Sequence, residues 1–395
     1  MATKKALAIF VYLLCTLTAI AAVSCDNKST YGPSDQAGKT LGFSGEDYAH
    51  SIVQTSDGGY FITGYTNSIR DNYDLYAVKT DKKFNIQWSK TFGNINIDKG
   101  YKGKETLDGG FVILGTVYIG PANNDILCIK TDRRGKMLWS RHFGGTKNEE
   151  GRSFVELPDG GLVIAGSTES YGSGENDIIL IKVDAQGRLK WTKTYGGAST
   201  DRAFDIHLTT DGGLAVTGRT SSYGGVYATY LLKTDAEGNQ LWFTTSGGSQ
   251  DEAQSVVQTA EGGFLTIGRM YVGLGNYQIY MIRYDGSGNT EAAYLLGFTS
   301  YEEAYSITPS HDGNYIVTGE TLLENSTSDF QTLIFKVTSY GNVLWVRSYG
   351  GEKDDIGYSV QPTDNGYIVA GYTLSYGAGK SDIYVLNIDE DGELQ

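Results

Sequence analysis

Cysteine is scarce in this chain: three residues in 395, at Cys15, Cys25 and Cys128. No two of them form a Cys-x-x-Cys pair, which excludes a zinc knuckle and a thioredoxin-type redox motif. Cys128 lies in the apolar run Asp125–Ile129, where burial makes a thiol inert rather than nucleophilic. Histidine is nearly as rare. His50, His142, His207 and His311 fall at four different phases of the chain's internal repeat, so they make no ring of ligands. There is no His-Glu-x-x-His, no Gly-x-Ser-x-Gly and no phosphate loop. The Asp-x-x-Gly turns lack the alternating acids and distal glutamate of an EF-hand, so no metal or other cofactor is expected. Positive charge is short as well, with 32 Lys+Arg against 46 Asp+Glu and a net charge of −14. A body this acidic repels phosphate backbones, which argues against nucleic acid as a partner.

Long apolar runs are missing except for one, Ala6–Val23, behind Lys4 and Lys5. The lysines, the run and the small residues after it predict a secretory leader over residues 1–24. Its length approaches that of a membrane span, but the small-residue end favours cleavage. The segment resembles a bacterial lipoprotein signal, with Ala22-Val23-Ser24-Cys25 as the lipobox and Ala22 standing where that family has leucine. The resemblance implies a diacylglyceryl thioether on Cys25, cleavage just before it, and an extracytoplasmic place in the cell envelope. Ordinary cleavage after Ala21 or Ser24 is the alternative. Residues 25–36 are polar with Gly and Pro, a flexible tether spanning roughly 17–20 Å. Contact with the membrane would then be through the lipid anchor only.

What the chain has in abundance is a repeat. A turn acid recurs at Asp57, Asp108, Asp159, Asp211, Glu261, Asp312 and Asp364, with a glycine seven residues later each time, from Gly64 to Gly371. A second turn recurs at Asp81, Asp132, Asp184, Asp235, Asp285 and Asp389, with Thr338 in the remaining unit. Trp88, Trp139, Trp191, Trp242 and Trp345 close five units, and Ala292 takes that place in another. Between these markers lie short apolar runs, as in Leu162–Ala165, Ile178–Val183 and Leu189–Tyr195. Four strands per unit at a period near fifty residues predict β-propeller blades. Central strands apolar at successive positions suit blades buried on both faces. The repeated glycine suits close approach by a neighbouring blade.

The fold expected is therefore all-β, a seven-bladed propeller over residues 37–395. The last unit lacks a fourth strand, and Gly38-Lys39-Thr40-Leu41-Gly42 matches Ser89-Lys90-Thr91-Phe92-Gly93 in type and spacing. That strand is expected to pair into the last blade and close the ring, leaving no open seam.

Two features rise above scaffold. An acid stands ten residues before each turn acid: Asp47, Asp98, Glu149, Asp201, Asp251, Glu302 and Asp354, several beside a second acid such as Glu150, Glu252 or Glu303. With the first strand of each unit innermost, these acids ring one mouth of the channel. They suit a cation or acid–base hydrolysis, but presence in every unit favours a structural role in accepting backbone N–H bonds. Tyr118, Tyr171, Tyr223, Tyr271 and Tyr376 follow the repeated glycine on loops, usually near another glycine. Rigid aromatic area there suits glycan stacking or a protein interface, and packing between blades is the plainer use.

The repeat Trp191-Thr-Lys-Thr-Tyr-Gly-Gly, then Asp201, then Asp211-Gly-Gly and Thr217-Gly-Arg-Thr, resembles the seven-bladed β-propeller repeat family of bacterial envelope proteins. The resemblance covers residues 37–395 and implies the propeller fold while being nearly silent on activity; the expected role is a binding or scaffold module for protein or glycan partners more than an enzyme. The turn-then-Trp element is similar to one in quinoprotein propellers, whose quinone and calcium site has no counterpart in this sequence. The competing reading is a glycan hydrolase or lyase using carboxylates at the channel mouth. Partners are expected at the acid- and Tyr-bearing end, where the loops vary most between units.

Overall fold

The computed structural model describes residues 20–22 and 38–395, apart from 70, 71, 95, 122, 224, 225, 249, 323–325, 327 and 328. Cys25, the rest of the expected leader and the tether lie outside the described residues. Among those described there is no helix long and apolar enough to cross a membrane.

Seven four-stranded antiparallel sheets stand in a ring. In blade 1 the strands are Asp47–Gln54, Tyr60–Thr66, Asp74–Thr80 and Ile86–Phe92. Blades 2 to 6 repeat this over residues 99–143, 149–195, 201–246, 252–296 and 302–349. Blade 7 takes three strands from residues 355–388, and Lys39–Leu41 runs antiparallel to Asp382–Ile388 as its outer strand. Ile20–Ala22 lies parallel along the outer strand Thr290–Leu296 of blade 5.

The first strand of every blade touches the first strands of its neighbours, so these seven line the channel. In blade 3 the second and third strands are almost wholly buried, while the outer strand mixes exposed and half-buried residues. The apolar side chains meet between blades. Ile178 and Leu180 of blade 3 pack with Ile206, Val216 and Leu232 of blade 4. Ile368 and Ile383 of blade 7 pack with Ile52, Ile62 and Val78 of blade 1, so the last interface is built like the others. Hydrophobic burial between flat faces is thus the main adhesive.

Two polar devices repeat at the end opposite the acids. A buried lysine of the third strand reaches the turn acid of its own blade: Lys79 to Asp57 at 2.9 Å, Lys233 to Asp211 at 3.0 Å, Lys336 to Asp312 at 3.0 Å. The Thr209 hydroxyl, the Gly213 N–H and Lys233 hold the Asp211 carboxyl down at about 2, against the opposing effect of burial. The tryptophans then link blade to blade. The indole N–H of Trp139 donates to the Ala185 carbonyl at 3.1 Å, and its ring covers Gly187, whose φ is +71°. In the unit with Ala292 at the tryptophan position, Tyr294 covers Gly341 instead. Residues two apart on a strand share a face, so a side chain from the next position along that face fills the gap.

The repeated glycine corrects the sequence reading. A Cβ on Gly64 would lie 1.8 Å from the Tyr48 carbonyl oxygen, and one on Gly218 would lie 1.9 Å from that of Arg202. The nearest crowding atom is on the first strand of the same blade, and the neighbouring blade lies farther off, as Leu75 does at 2.9 Å from a Cβ on Gly115. At this point the first strand carries a bulge in every blade, between Ala49 and Ser51 in blade 1 and between Ala203 and Ser-equivalent Asp205 in blade 4.

Deleting residues 38–42 should lower the stability of the full chain by about 2–4 kcal/mol through lost ladder bonds and apolar burial. A thermal melt identical to that of the intact chain would show that this strand adds nothing to the ring.

Candidate binding site in the central channel

The seven bulges decide what faces the channel. A bulge leaves one residue unpaired and re-aims its side chain. In blades 1 to 7 that residue is His50, Tyr101, Arg152, Phe204, Gln254, Tyr305 and Tyr358. All seven line a cavity of about 430 Å³ inside the ring. Just beyond the bulge sit Ser51, Ser153, Ser255, Ser306 and Ser359, with Lys102 and Asp205 in the other two blades. They stitch neighbouring strands together: Ser153 and Ser255 each donate to Asp205 at 2.8 Å. The cavity therefore has a bonded polar floor.

The ring acids are not part of this cavity wall. Each is turned into its own blade. Asp201 accepts the Gly197 N–H at 2.8 Å, the Ser222 hydroxyl at 2.6 Å and the Thr220 hydroxyl. Glu149 accepts the Gly145 N–H at 2.7 Å and the Thr168 hydroxyl at 2.7 Å. Asp47, Asp98, Asp251 and Glu302 bond in the same way to the loop before them. In blade 7 the buried acid in this place is Asp355, not Asp354; it accepts the Gly351 N–H at 2.7 Å. The turn Thr363–Gly366 is one residue shorter than Thr55–Gly59, which moves the spacing count by one. Asp354 instead accepts the Phe330 N–H at 3.0 Å.

The tyrosine loops are also tied down. Tyr171, Tyr223 and Tyr376 donate to the carbonyls of Gly144, Gly196 and Gly350 at 3.0, 3.1 and 2.9 Å. The rings of Tyr171 and Tyr223 stay about half exposed. Tyr271 packs against Tyr277 at 5.4 Å. Tyr118 lines a second cavity of about 430 Å³ at the acid-bearing mouth, above blades 2 to 4.

The channel wall is chemically divided. Blades 7, 1 and 2 supply aromatic rings: His50 stacks on Tyr358 at 4.6 Å and Tyr65 at 5.3 Å, and Tyr48 meets Tyr372 at 4.9 Å. Burial first, then the charges of Arg152 and Lys99, push the His50 imidazole down to about 3, so it is neutral at pH 7. Blades 3 to 5 supply Arg152, Arg202, Arg219 and Arg269. Arg152 pairs with Glu150 at 2.8 Å and lies 4.5 Å over Tyr101. Arg219 pairs with Glu252, and Arg269 bridges Glu252 and Glu303. Glu303 stands directly across the sheet from Glu320. Burial, then the Glu303 charge, push the Glu320 carboxyl up to about 8. Tyr305 donates to Glu303 at 3.3 Å. Among the described residues no cluster of His, Cys, Asp or Glu has the arrangement to hold a metal ion.

Sequence reasoning placed the acids at this end and noted Glu150, Glu252 and Glu303 as their neighbours, but it missed the arginines and the bulge residues. Their signal was present. The position three after each acid changes type in almost every unit, on a repeat otherwise constant in its markers.

Residues 157–189 match the family described as a domain of unknown function (DUF5122) beta-propeller. A 112-residue stretch is 30% identical to the regulatory protein FlaEY of Caulobacter vibrioides, covering 25% of this chain and 12% of that protein. Among solved structures, a PL25 ulvan lyase described as a polysaccharide lyase aligns with TM-score 0.59 at 11% identity, over 90% of this chain and 95% of that one. Puromycin hydrolase aligns with TM-score 0.58 at 11% identity, over 92% of this chain and 56% of that one. The WD40 propeller domain of Doa1 aligns with TM-score 0.54 at 12% identity, over 89% and 96%. These likenesses concern the fold.

Replacing Gly218 by Ala should destabilise the protein by about 2–3 kcal/mol through overpacking on the Arg202 carbonyl. The same change at Gly212, where nothing lies within 4 Å but φ is +80°, should cost only about 1–2 kcal/mol of left-handed strain. Equal denaturation midpoints for both variants would contradict the contact. The chain is a seven-bladed, all-β propeller whose residues 157–189 match the DUF5122 beta-propeller family.

Proposed function

We propose that this propeller is a glycan-binding module of the bacterial cell envelope, held to a membrane by lipid on Cys25, with its ligand at the acid-bearing mouth of the channel. The observation that carries the reading is the pair of adjacent cavities there, both lined by Tyr101 and Arg202. Their volumes suit small-ligand sites, typically ~300–1,000 Å³. Their walls combine flat aromatic rings with fixed polar groups, the mixture that sugars require. The polysaccharide lyase described above has a comparable fold, so a carbohydrate site is compatible with this scaffold. Tyr118 is the candidate loop tyrosine nearest the site. Tyr171, Tyr223, Tyr271 and Tyr376 would serve as outer contacts for a longer glycan or a protein partner.

A second reading, a glycan hydrolase or lyase, is favoured by one observation: Glu320, opposed to Glu303 and beside Tyr305, has its carboxyl pushed up to about 8 by burial and then by the Glu303 charge. A carboxyl raised in this way suits a general acid role.

The full chain, titrated against an oligosaccharide panel, should bind at least one member. Tyr118→Ala should weaken that binding about three- to tenfold, whereas Glu237→Lys at the opposite end should leave it unchanged. The reverse pattern would place the ligand at the wrong end, and chain-shortened or unsaturated products in the same incubations would favour the enzyme. For the anchor, metabolic palmitate should label the wild type and not Cys25→Ala. Equal labelling of both would remove the lipid from the proposal.

A further inference from the structure

Arg202 differs from the other channel arginines. Arg152, Arg219 and Arg269 each have a glutamate partner. Arg202 makes no ion pair among the described residues; its Nε is buried without a hydrogen-bond partner, as are those of Arg152, Arg219 and Arg269. It lines both cavities, at the point where the channel opens into the mouth. Arg202 is half-buried; a guanidinium partly withdrawn from water gains from an anion partner, and its planar fork matches a carboxylate bidentately.

The mouth cavity offers a different chemistry alongside. Asn176 is 7% exposed, and its Oδ1 has no hydrogen-bond partner among the described residues. The Thr116 hydroxyl oxygen is likewise buried and unpartnered. Both line the mouth cavity with Tyr118, and so does Asn124, whose amide donates to Asn148 at 3.2 Å. An amide oxygen only accepts, so Asn176 calls for a hydroxyl or N–H donor. One ligand that satisfies both places carries a carboxylate on a ring with several hydroxyls.

We propose that the site takes an acidic oligosaccharide, a uronate-bearing chain, with its carboxylate on Arg202 and its hydroxyls on Asn176 and Thr116 against Tyr118. This deepens the glycan reading given above and rests on it. A free small anion would satisfy Arg202 alone and leave the mouth unused.

The test titrates the full chain with a panel of uronate oligosaccharides, with the same oligosaccharides after reduction of the carboxyl to the alcohol, and with inorganic sulfate. The acidic chain should bind, its reduced form should bind about tenfold more weakly or less, and sulfate alone should not compete at matched concentration. Arg202→Gln should weaken the acidic ligand to the level of the reduced one while leaving the reduced one unchanged. Arg202→Lys should keep the preference in part, and a thermal melt confirms that both variants fold. Equal binding of acidic and reduced chains, or an Arg202→Gln loss shared by both, overturns the uronate assignment and leaves the glycan reading standing. Tight binding of sulfate alone also overturns the assignment, in favour of a small-anion site. Absence of binding to any oligosaccharide by the folded chain overturns the glycan reading and the assignment together.

Discussion

The close contact between the first-strand carbonyl and the second-strand glycine is the constraint on which the rest of the propeller depends. In every blade the oxygen of the residue after the ring acid occupies the space that a Cβ would need. That contact fits the bulge in the first strand, and the bulge lets the next residue leave the ladder and face the channel. The small residue before it, Ala49, Gly100, Gly151 or Ala203 for example, belongs to the same device, because a larger side chain would crowd the neighbouring blade. A Cβ on Gly100 would lie 2.4 Å from the Gly64 carbonyl oxygen of the preceding blade.

Around this device the blade is fixed by interactions that recur in most units. The ring acid bonds the loop before it, the buried lysine bonds its own turn, and the tryptophan covers the next blade's glycine. Each uses polar atoms where the flat apolar faces end and backbone groups would otherwise go unpaired. The oxygens of Asp201 and Glu149 are already bonded to loop N–H and hydroxyl groups; such bonding favours a scaffold role for the symmetric ring and turns attention to the positions that break the symmetry.

Much of the fold was legible in the sequence because its markers sit in turns, where residue type follows from backbone geometry. Asp159-Gly160-Gly161 and Asp184 to Gly187 announced their turns directly. The errors arose where one residue shifted the count. The short turn before Tyr367 exchanged Asp354 for Asp355, and Tyr294 took over from a position where only Ala292 was visible. The channel was hidden for a different reason. A bulge inserts one residue into a period-two pattern, so His50, Arg152 or Tyr305 reads as an interruption in a strand rather than as a wall residue. The first strand of blade 3 begins at Glu149, ahead of the bulge residue Arg152.

The charge distribution follows the same division. The chain as a whole is acidic, yet four arginines gather on one side of the channel. Such a cluster is tolerable because Glu150, Glu252 and Glu303 occupy the first-strand position directly after the ring acids and so reach the arginines from the channel wall. Glu252 serves two of them, Arg219 and Arg269. Arg269 in turn pairs with Glu303, and burial first, then the Glu303 charge, push the opposed Glu320 carboxyl up. Blade 4 supplies Arg202 at the position where its two neighbours supply glutamate, and that single change of sign leaves one guanidinium facing the mouth without a carboxylate of its own.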